Sequence, residues 1–205
     1  MSREIYITQP IPKEAREILE QKGYRVFQNP EDRVLSKDEM LREVQERDGV
    51  ICLLSDKIDA QVLERAGRSK IFANYAVGYD NLDVPCATRL GICVSNTPGV
   101  LTITTAELTW ALILAVTRRI VPAERHLKEG KFTHWGPLLM LGTDLFGKTL
   151  GILGCGRIGM AVARMSVGFQ MRILYANRNP NAQVERETSA SRVDLETLLK
   201  ESDVL

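Results

Sequence analysis

A glycine-rich loop at 154–159 constrains the fold of this chain more than any other feature of its sequence. Gly154, Gly156 and Gly159 follow a predicted strand (150–153) and lead directly into a predicted helix. In dinucleotide-binding proteins the first glycine allows a tight turn, the second lets the backbone approach a pyrophosphate, and the third allows close packing of the helix on the strand. The free N–H groups of the helix N-terminus then face the phosphates. The alternative is a strand-to-helix turn that binds no ligand.

The residues after the next predicted strand (172–176) bear on the choice of cofactor. NAD-binding folds usually place Asp or Glu there, where it holds the ribose 2′-hydroxyl. This chain has Asn177 at that place, followed by Arg178. Because arginine can pair with a 2′-phosphate, we predict NADP(H) as the preferred cofactor, with NAD or the use of both as the alternative. Arg178 could also be an ordinary surface residue that points into water.

The first half of the chain alternates short β-branched stretches with helical patterns. Strands are predicted at 5–8, 24–27, 49–54, 70–74 and 92–95. Ser36 and Asp83 are predicted to cap two of the intervening helices, and Gly91 to end the second of them. This alternation predicts an α/β fold in which helices cover both faces of a parallel sheet.

The stretch 96–99 (Asn-Thr-Pro-Gly) interrupts the alternation, and we predict a domain boundary there, with domains at 1–98 and 99–205. A long helix is predicted to follow over 102–120, with a capping box at 104–107. Because this helix is apolar nearly all the way round, we expect both of its sides to be buried.

A second helix, 122–129, and an irregular arm, 130–142, are predicted before the glycine loop.

Composition excludes several classes of function. The 27 basic and 26 acidic residues leave a net charge of +1, which gives no field for binding nucleic acid. The most apolar stretch, 108–116, is too short to cross a membrane, and the N-terminus lacks the pattern of a signal peptide. The four cysteines have no metal-binding or disulfide spacing and are predicted to be reduced structural residues. We therefore predict a cytoplasmic protein without a metal site.

The chain resembles the D-isomer-specific 2-hydroxyacid dehydrogenases and, among them, the glyoxylate/hydroxypyruvate reductases. The resemblance covers the whole chain and rests on the segments 53–59, 74–83 and 96–102, and on the glycine loop with Gly168 and Phe169. It implies a flavodoxin-like substrate domain at 1–98, followed by an incomplete Rossmann domain at 99–205. It also implies hydride transfer from NAD(P)H to a small 2-oxo acid such as glyoxylate or hydroxypyruvate.

The same resemblance assigns residues to the substrate and cofactor sites. Family members bind the substrate carboxylate through backbone N–H groups of a loop that matches Ala76, Val77 and Gly78, and Leu54 then lines the substrate pocket. A glycine there lets the backbone approach an anion, and successive N–H groups form a nest. The alternative is a plain strand-to-helix turn. The implied cofactor residues, besides the three glycines, Asn177 and Arg178, are Val100 and Thr105 near the nicotinamide and Arg157 and Ile158 at the pyrophosphate.

Two departures from family patterns concern the substrate. Phosphite dehydrogenases carry a lysine where this chain has Val77, so phosphite is not the expected substrate. Some mammalian-type hydroxypyruvate reductases place a tryptophan in the partner subunit's pocket, where this chain has Leu139, with Trp135 four residues earlier. The choice among small 2-oxo acids therefore stays open. The resemblance also implies a homodimer formed through the helix at 102–120 and the arm at 130–142.

The family's catalytic arginine, glutamate and histidine lie in segments that follow the second half of the nucleotide-binding domain. We expect the chain to stop as the third strand of that domain begins, to be truncated before the catalytic residues and to be inactive alone. His126 and His134 are predicted to be a surface residue and a subunit-contact residue. The alternative function is a non-catalytic nucleotide-sensing or interaction protein, similar to corepressors on this fold.

Overall fold

The computed structural model describes residues 2–205, which divide into two compact units at Val100 and Leu101. The boundary predicted from the sequence lies two residues earlier. Each unit has its own parallel sheet and its own core.

The first unit contains a five-stranded parallel sheet in the order β2-β1-β3-β4-β5, which is the flavodoxin-like order. Its strands are β1 (Glu4–Ile7), β2 (Arg25–Gln28), β3 (Gly49–Cys52), β4 (Ile71–Asn74) and β5 (Cys93–Ser95). The helices between them are α1 (Lys13–Gln21), α2 (Lys37–Glu46), α3 (Ala60–Glu64) and α4 (Val84–Leu90). The fold class predicted from the alternation of strands and helices is confirmed.

Local signals set the ends of these helices where the sequence predicted them. Ser36 caps α2, because its hydroxyl accepts from the backbone N–H of Glu39 while the Glu39 carboxylate accepts from the backbone N–H of Ser36 at 2.8 Å. The Asp83 carboxylate accepts from the N–H of Cys86 at 2.9 Å at the start of α4. Gly91 ends α4 with φ +66°, a left-handed conformation that glycine adopts at little cost.

The core of the first unit lies on one face of its sheet. Val50 and Phe72 point from the central strands toward α2 and α3, where Val44 and Val62 are fully buried against them. Burial of large aliphatic and aromatic side chains contributes about 1.5–3 kcal/mol each, so this core holds β3 and β4 in place. The loops that follow β3 and β4 therefore start from rigid positions.

The second unit contains a three-stranded parallel sheet in the order β6-β7-β8. Its elements are α5 (Thr102–Thr117), α6 (Ile120–Lys128), β6 (Thr149–Leu153), α7 (Arg157–Ser166), β7 (Arg172–Ala176), α8 (Ala182–Thr188), β8 (Ser191–Arg192) and α9 (Leu195–Glu201). The segment 130–142 contains neither helix nor strand, as predicted. Among residues 2–205, no helix has both the length and the apolar character needed to cross a membrane.

The prediction for the long helix was wrong in two respects. The backbone N–H of Thr105 already donates to the carbonyl of Leu101, so helical bonding begins before Thr104 and the capping box does not form. The helix also ends at Thr117 instead of continuing to 120. Arg119 takes a left-handed conformation with φ +54°, which separates α5 from α6.

The expected burial of both sides of α5 was also wrong within this chain. Only Ala106 and Trp110 are buried, and Trp110 stacks on Phe169 with the ring centroids 5.0 Å apart. Leu112 and Val116 on the same helix are 58% and 76% exposed. An apolar pattern shows which residues avoid water but not whether the covering surface belongs to the same chain.

The sequence analysis expected the third strand of the second unit at the end of the chain, near 201–205. This was wrong, because the structure places that strand earlier. It is β8, which consists of the two exposed residues Ser191 and Arg192 and therefore has no apolar pattern to predict it. The last residues instead pair on the opposite side of β6, where Val204 bridges to Leu150 and the N–H of Gly151 donates to Val204 at 2.8 Å.

Candidate functional site

The glycine loop joins β6 to α7 with a different geometric requirement at each glycine. Gly154 has φ +90°, where a side chain would be strained. A Cβ added at Gly156 would meet no atom within 4 Å, so open space lies beside that backbone. A Cβ added at Gly159 would lie 2.6 Å from the carbonyl oxygen of Gly154, so the helix packs there as closely as glycine allows.

The N-terminus of α7 is left without a side-chain cap. Gly156 occupies the N-cap position and offers no side-chain acceptor, whereas Ser36 fills that role for α2. The N–H groups of Arg157, Ile158 and Gly159 find no acceptor among residues 2–205. Unbonded N–H groups and the positive end of the helix dipole together favour an anion at this position.

A groove of about 440 Å³ opens beside the glycine loop at the carboxyl ends of β6 and β7. It is lined in part by Gly154, Ala176, Asn177, Arg178, Arg192 and Asp194. The groove thus brings both residues predicted from the second strand, Asn177 and Arg178, next to the first glycine. Arg192 was not predicted, because it lies fourteen residues beyond Arg178 on a strand without an apolar pattern.

The loop after β7 is tied to the glycine loop by Asn181, a second residue that the sequence analysis missed. Its side-chain amide donates to the carbonyl oxygen of Cys155 at 2.9 Å, and its backbone N–H donates to the Tyr175 hydroxyl at 2.8 Å. Burial raises the pKa of the Cys155 thiol, so this cysteine stays protonated and is a structural residue of the loop. The glycine loop and the loop after β7 are therefore held together by a hydrogen bond.

In the first unit, the loop 76–78 follows β4 and has all three of its carbonyl oxygens bonded to the protein. The carbonyl of Ala76 accepts from the N–H of Thr97 at 2.9 Å, and that of Val77 accepts from the Asn96 amide at 2.8 Å. The carbonyl of Gly78 accepts from the Asn74 amide at 2.9 Å.

The N–H groups of the same three residues find no acceptor among residues 2–205. The loop 76–78 therefore has free N–H donors, while its carbonyl oxygens are already bonded within the protein, and this arrangement suits an anion.

A partly buried amide network supports this loop from the side of β3. Asn81 donates to the carbonyl oxygens of Leu53 and Asp56, both at 3.1 Å, and accepts from Asn74 at 3.0 Å. The buried Asp56 carboxylate in turn accepts from the N–H of Leu53 at 2.8 Å. The turn that carries the predicted pocket residue Leu54 is therefore fixed relative to the loop 76–78.

Leu54 is 55% exposed, and its Cδ1 would lie 3.7 Å from a Cβ added at Gly78. The structure thus brings together the four predicted substrate residues, all of which belong to the first unit. Val100 is exposed at the end of that unit, and Thr105 lies in the first turn of α5 in the second. Neither residue takes part in the two loops described above.

The two sheets define the class of protein. A flavodoxin-like sheet followed by a sheet that carries a glycine loop between its first strand and helix is typical of two-unit α/β proteins of the Rossmann type.

Comparison with known proteins identifies the family. The family model for the D-isomer specific 2-hydroxyacid dehydrogenase catalytic domain matches residues 5–202. The chain is 45% identical to a glyoxylate reductase of Thermococcus gammatolerans, with 99% of this chain and 62% of that protein covered. It is 47% identical to a glyoxylate reductase of Aeropyrum pernix, with 98% and 61% covered. The chain belongs to the D-isomer specific 2-hydroxyacid dehydrogenase family, and it spans about 62% of the length of these relatives.

Solved structures agree with this assignment. A protein from Thermus thermophilus is 40% identical and superimposes with a TM-score of 0.89, covering 98% of this chain and 62% of that one. A D-lactate dehydrogenase of Aquifex aeolicus, crystallised with NAD and lactic acid, is 25% identical with a TM-score of 0.82 and coverage of 98% and 58%. An acyclic imino acid reductase crystallised with NADPH and D-Arg is 28% identical with a TM-score of 0.82 and coverage of 98% and 63%.

Proposed function

We propose that the chain carries the substrate-binding and cofactor-binding sites of an NAD(P)H-dependent reductase of small 2-oxo acids, with glyoxylate or hydroxypyruvate as the substrate. The observation that carries this proposal is the loop 76–78, whose carbonyl oxygens are all bonded to the protein while its N–H groups remain for an anion. The carboxylate of a 2-oxo acid fits such a nest. The glyoxylate reductases among the relatives support the choice of substrate.

The second unit fits a nicotinamide dinucleotide. Relatives crystallised with NAD and with NADPH support this class of cofactor. We propose that the N–H groups of Arg157 and Ile158 bind the pyrophosphate in the open space beside Gly156. When bound, the nicotinamide supplies a hydride for the carbonyl carbon of the substrate. The exposed Val100 and the half-buried Thr105 stay as proposed contacts of the nicotinamide end, on the resemblance alone.

NADPH is the proposed preferred cofactor. The groove beside Gly154 has no carboxylate at the end of β7, where Asn177 and then Arg178 follow the strand. Among residues 2–205, no carboxylate forms an ion pair with Arg178, so its charge is available to a phosphate.

Within the described part of the chain we assign no catalytic residue. The resemblance implies a catalytic histidine tuned by a glutamate, and among residues 2–205 neither His126 nor His134 has a carboxylate at ion-pair distance. His126 lies on α6, and His134 contacts the Thr133 hydroxyl in the exposed arm. We therefore expect the 205-residue chain to bind without turnover.

A homodimer and a cytoplasmic location complete the proposal. The exposed apolar side chains of α5, such as Leu108, Leu112 and Val116, support a dimer through this helix, because water-exposed apolar patches mark interaction surfaces. The buried free thiols of Cys52, Cys86 and Cys155 support a reducing compartment.

Amide shifts in NMR spectra would test the substrate site directly. We expect glyoxylate to shift the resonances of Ala76, Val77 and Gly78, and glycolaldehyde, which has an aldehyde but no carboxylate, to leave them in place. Fluorescence titration of NADPH and NADH tests the cofactor site in the same sample. Equal shifts with both small molecules, or no shift at the loop, would contradict a carboxylate site. Binding of the nucleotides without any response to glyoxylate would favour a nucleotide sensor.

A further inference from the structure

Arg192 lines the groove of the proposed cofactor site, and its guanidinium donates hydrogen bonds to backbone carbonyl oxygens. It pairs with Tyr175 across the β7·β8 ladder, which carries it to the carboxyl end of β7. Its Nη2 donates to the carbonyl oxygens of Asn177 at 2.9 Å and Arg178 at 2.8 Å, and its Nε donates to Asn177 at 3.2 Å. The guanidinium is thus held against the loop that carries Arg178.

These bonds fix the position of the guanidinium without neutralising it, because carbonyl oxygens carry no net charge. A guanidinium has five N–H groups, and the three bonds leave the two on Nη1 without an acceptor among residues 2–205. No carboxylate of the described chain forms an ion pair with Arg192. A charged donor pair that is already oriented loses little entropy when it binds an anion.

One acidic residue, Asp194, also lines the groove. The backbone N–H of Thr197 donates to its carboxylate at 2.8 Å and the Thr197 hydroxyl at 3.0 Å, and these bonds lower the pKa of Asp194. Asp194 is therefore ionised at neutral pH and offsets one of the two arginine charges. The groove keeps a net positive charge from Arg178 and Arg192, which favours a phosphate dianion over a hydroxyl group.

We propose that Arg192 is a second cationic residue of this site and binds, together with Arg178, the 2′-phosphate of a phosphorylated dinucleotide. This inference rests on the proposed cofactor site. Arg192 would then determine specificity as well as hold the loop. A purely structural clamp would support NADPH and NADH binding alike, whereas a phosphate ligand would support only NADPH.

Fluorescence titrations of the 205-residue chain with NADPH and NADH separate these roles. We expect Arg192→Gln to weaken NADPH binding about tenfold and to change NADH binding less than about twofold, because only NADPH loses a charge-assisted hydrogen bond. Arg178→Gln should behave in the same way. Arg186→Gln, which removes an equal charge from the exposed last turn of α8, should leave both affinities unchanged. Competition by 2′,5′-ADP and by AMP repeats the comparison without the nicotinamide.

Each outcome decides between the alternatives. An equal loss of NADPH and NADH affinity in Arg192→Gln, or no loss, would overturn the role of Arg192 while the dinucleotide site stands. Failure of the unaltered chain to bind either dinucleotide would instead overturn the proposed function. If circular dichroism shows that Arg192→Gln unfolds, Arg192→Lys decides. Lysine keeps the cation but lacks the planar set of five donors that holds the guanidinium in place, so retention of most of the NADPH preference supports the proposal and its complete loss contradicts it.

Discussion

Alanine at Gly156 and alanine at Gly159 should affect the chain differently. Gly156→Ala should weaken nucleotide binding, and Gly159→Ala should lower stability. A Cβ at Gly156 would meet no atom within 4 Å, and its φ of −84° suits alanine. The reduced entropy of the unfolded chain stabilises by about 0.4–1 kcal/mol, and an alanine N-cap costs a similar amount. We therefore expect Gly156→Ala to change the free energy of unfolding by less than about 1 kcal/mol.

A Cβ at Gly159 would lie 2.6 Å from the carbonyl oxygen of Gly154 and 3.0 Å from Cγ2 of Ile152. The first of these atoms belongs to the backbone, so α7 must move away from β6. Overpacking of this kind costs about 1–3 kcal/mol, and the higher helix propensity of alanine recovers up to about 1 kcal/mol. We expect Gly159→Ala to lower the free energy of unfolding by about 1–2 kcal/mol, as measured by urea denaturation.

Nucleotide binding should separate the same two variants. The new methyl group of Gly156→Ala occupies space that we assign to the pyrophosphate, and loss of one charge-assisted hydrogen bond at about 1.5–3 kcal/mol weakens NADPH binding about 10- to 100-fold. A folded Gly156→Ala chain that binds NADPH as well as the unaltered chain would refute this reasoning. So would a loss of stability in Gly156→Ala that equals the loss in Gly159→Ala.

Three further changes test other parts of the structure. Asn96→Ala should weaken glyoxylate binding about 2- to 10-fold, since it releases a carbonyl of the loop 76–78, and should leave NADPH binding unchanged in the same titration. Asp194→Asn should strengthen NADPH binding, because the side chain can still cap α9 but the negative charge is lost. The two bonds from Thr197 lower the pKa of Asp194 in the folded state. Its contribution to stability is therefore present above the unfolded pKa of about 3.8 and is lost as the pH falls through the lower folded pKa. Acid unfolding of the unaltered chain and of Asp194→Asn would show this loss. Leu112→Lys, at a position 58% exposed, should shift sedimentation from dimer to monomer and leave the circular dichroism of the folded chain unchanged.

Features set by neighbouring residues could be predicted from the sequence. Ser36 finds its partner three residues later, and Gly91 ends its helix through its own backbone conformation. The glycine loop was predictable for the same reason, because strand, turn and helix follow one another within a short stretch. The exposed face of α5 was not, since an apolar pattern does not reveal which surface covers it.

Arg192 and Asn181 could not be predicted, because each acts on a backbone group far away in the chain. Arg192 reaches carbonyl groups fourteen and fifteen residues earlier, and Asn181 reaches the carbonyl of Cys155, twenty-six residues earlier. Neither residue lies in a motif, and β8, which carries Arg192, is only two residues long. Their roles follow from the sheet register, which only the folded chain displays.

Side-chain donors bind backbone carbonyl oxygens at both proposed anion sites. In the first unit Asn74 and Asn96 bond the carbonyls of the loop 76–78, and in the second Asn181 and Arg192 bond those of the glycine loop and of the loop after β7. A carbonyl oxygen that faced the site would repel an anion, so its removal improves the local field even where no new donor is added. The same side chains also support the fold, because Asn181 caps α8 and the buried Asn74 bonds to Asn81, so their substitution should lower stability as well as affinity for the anion.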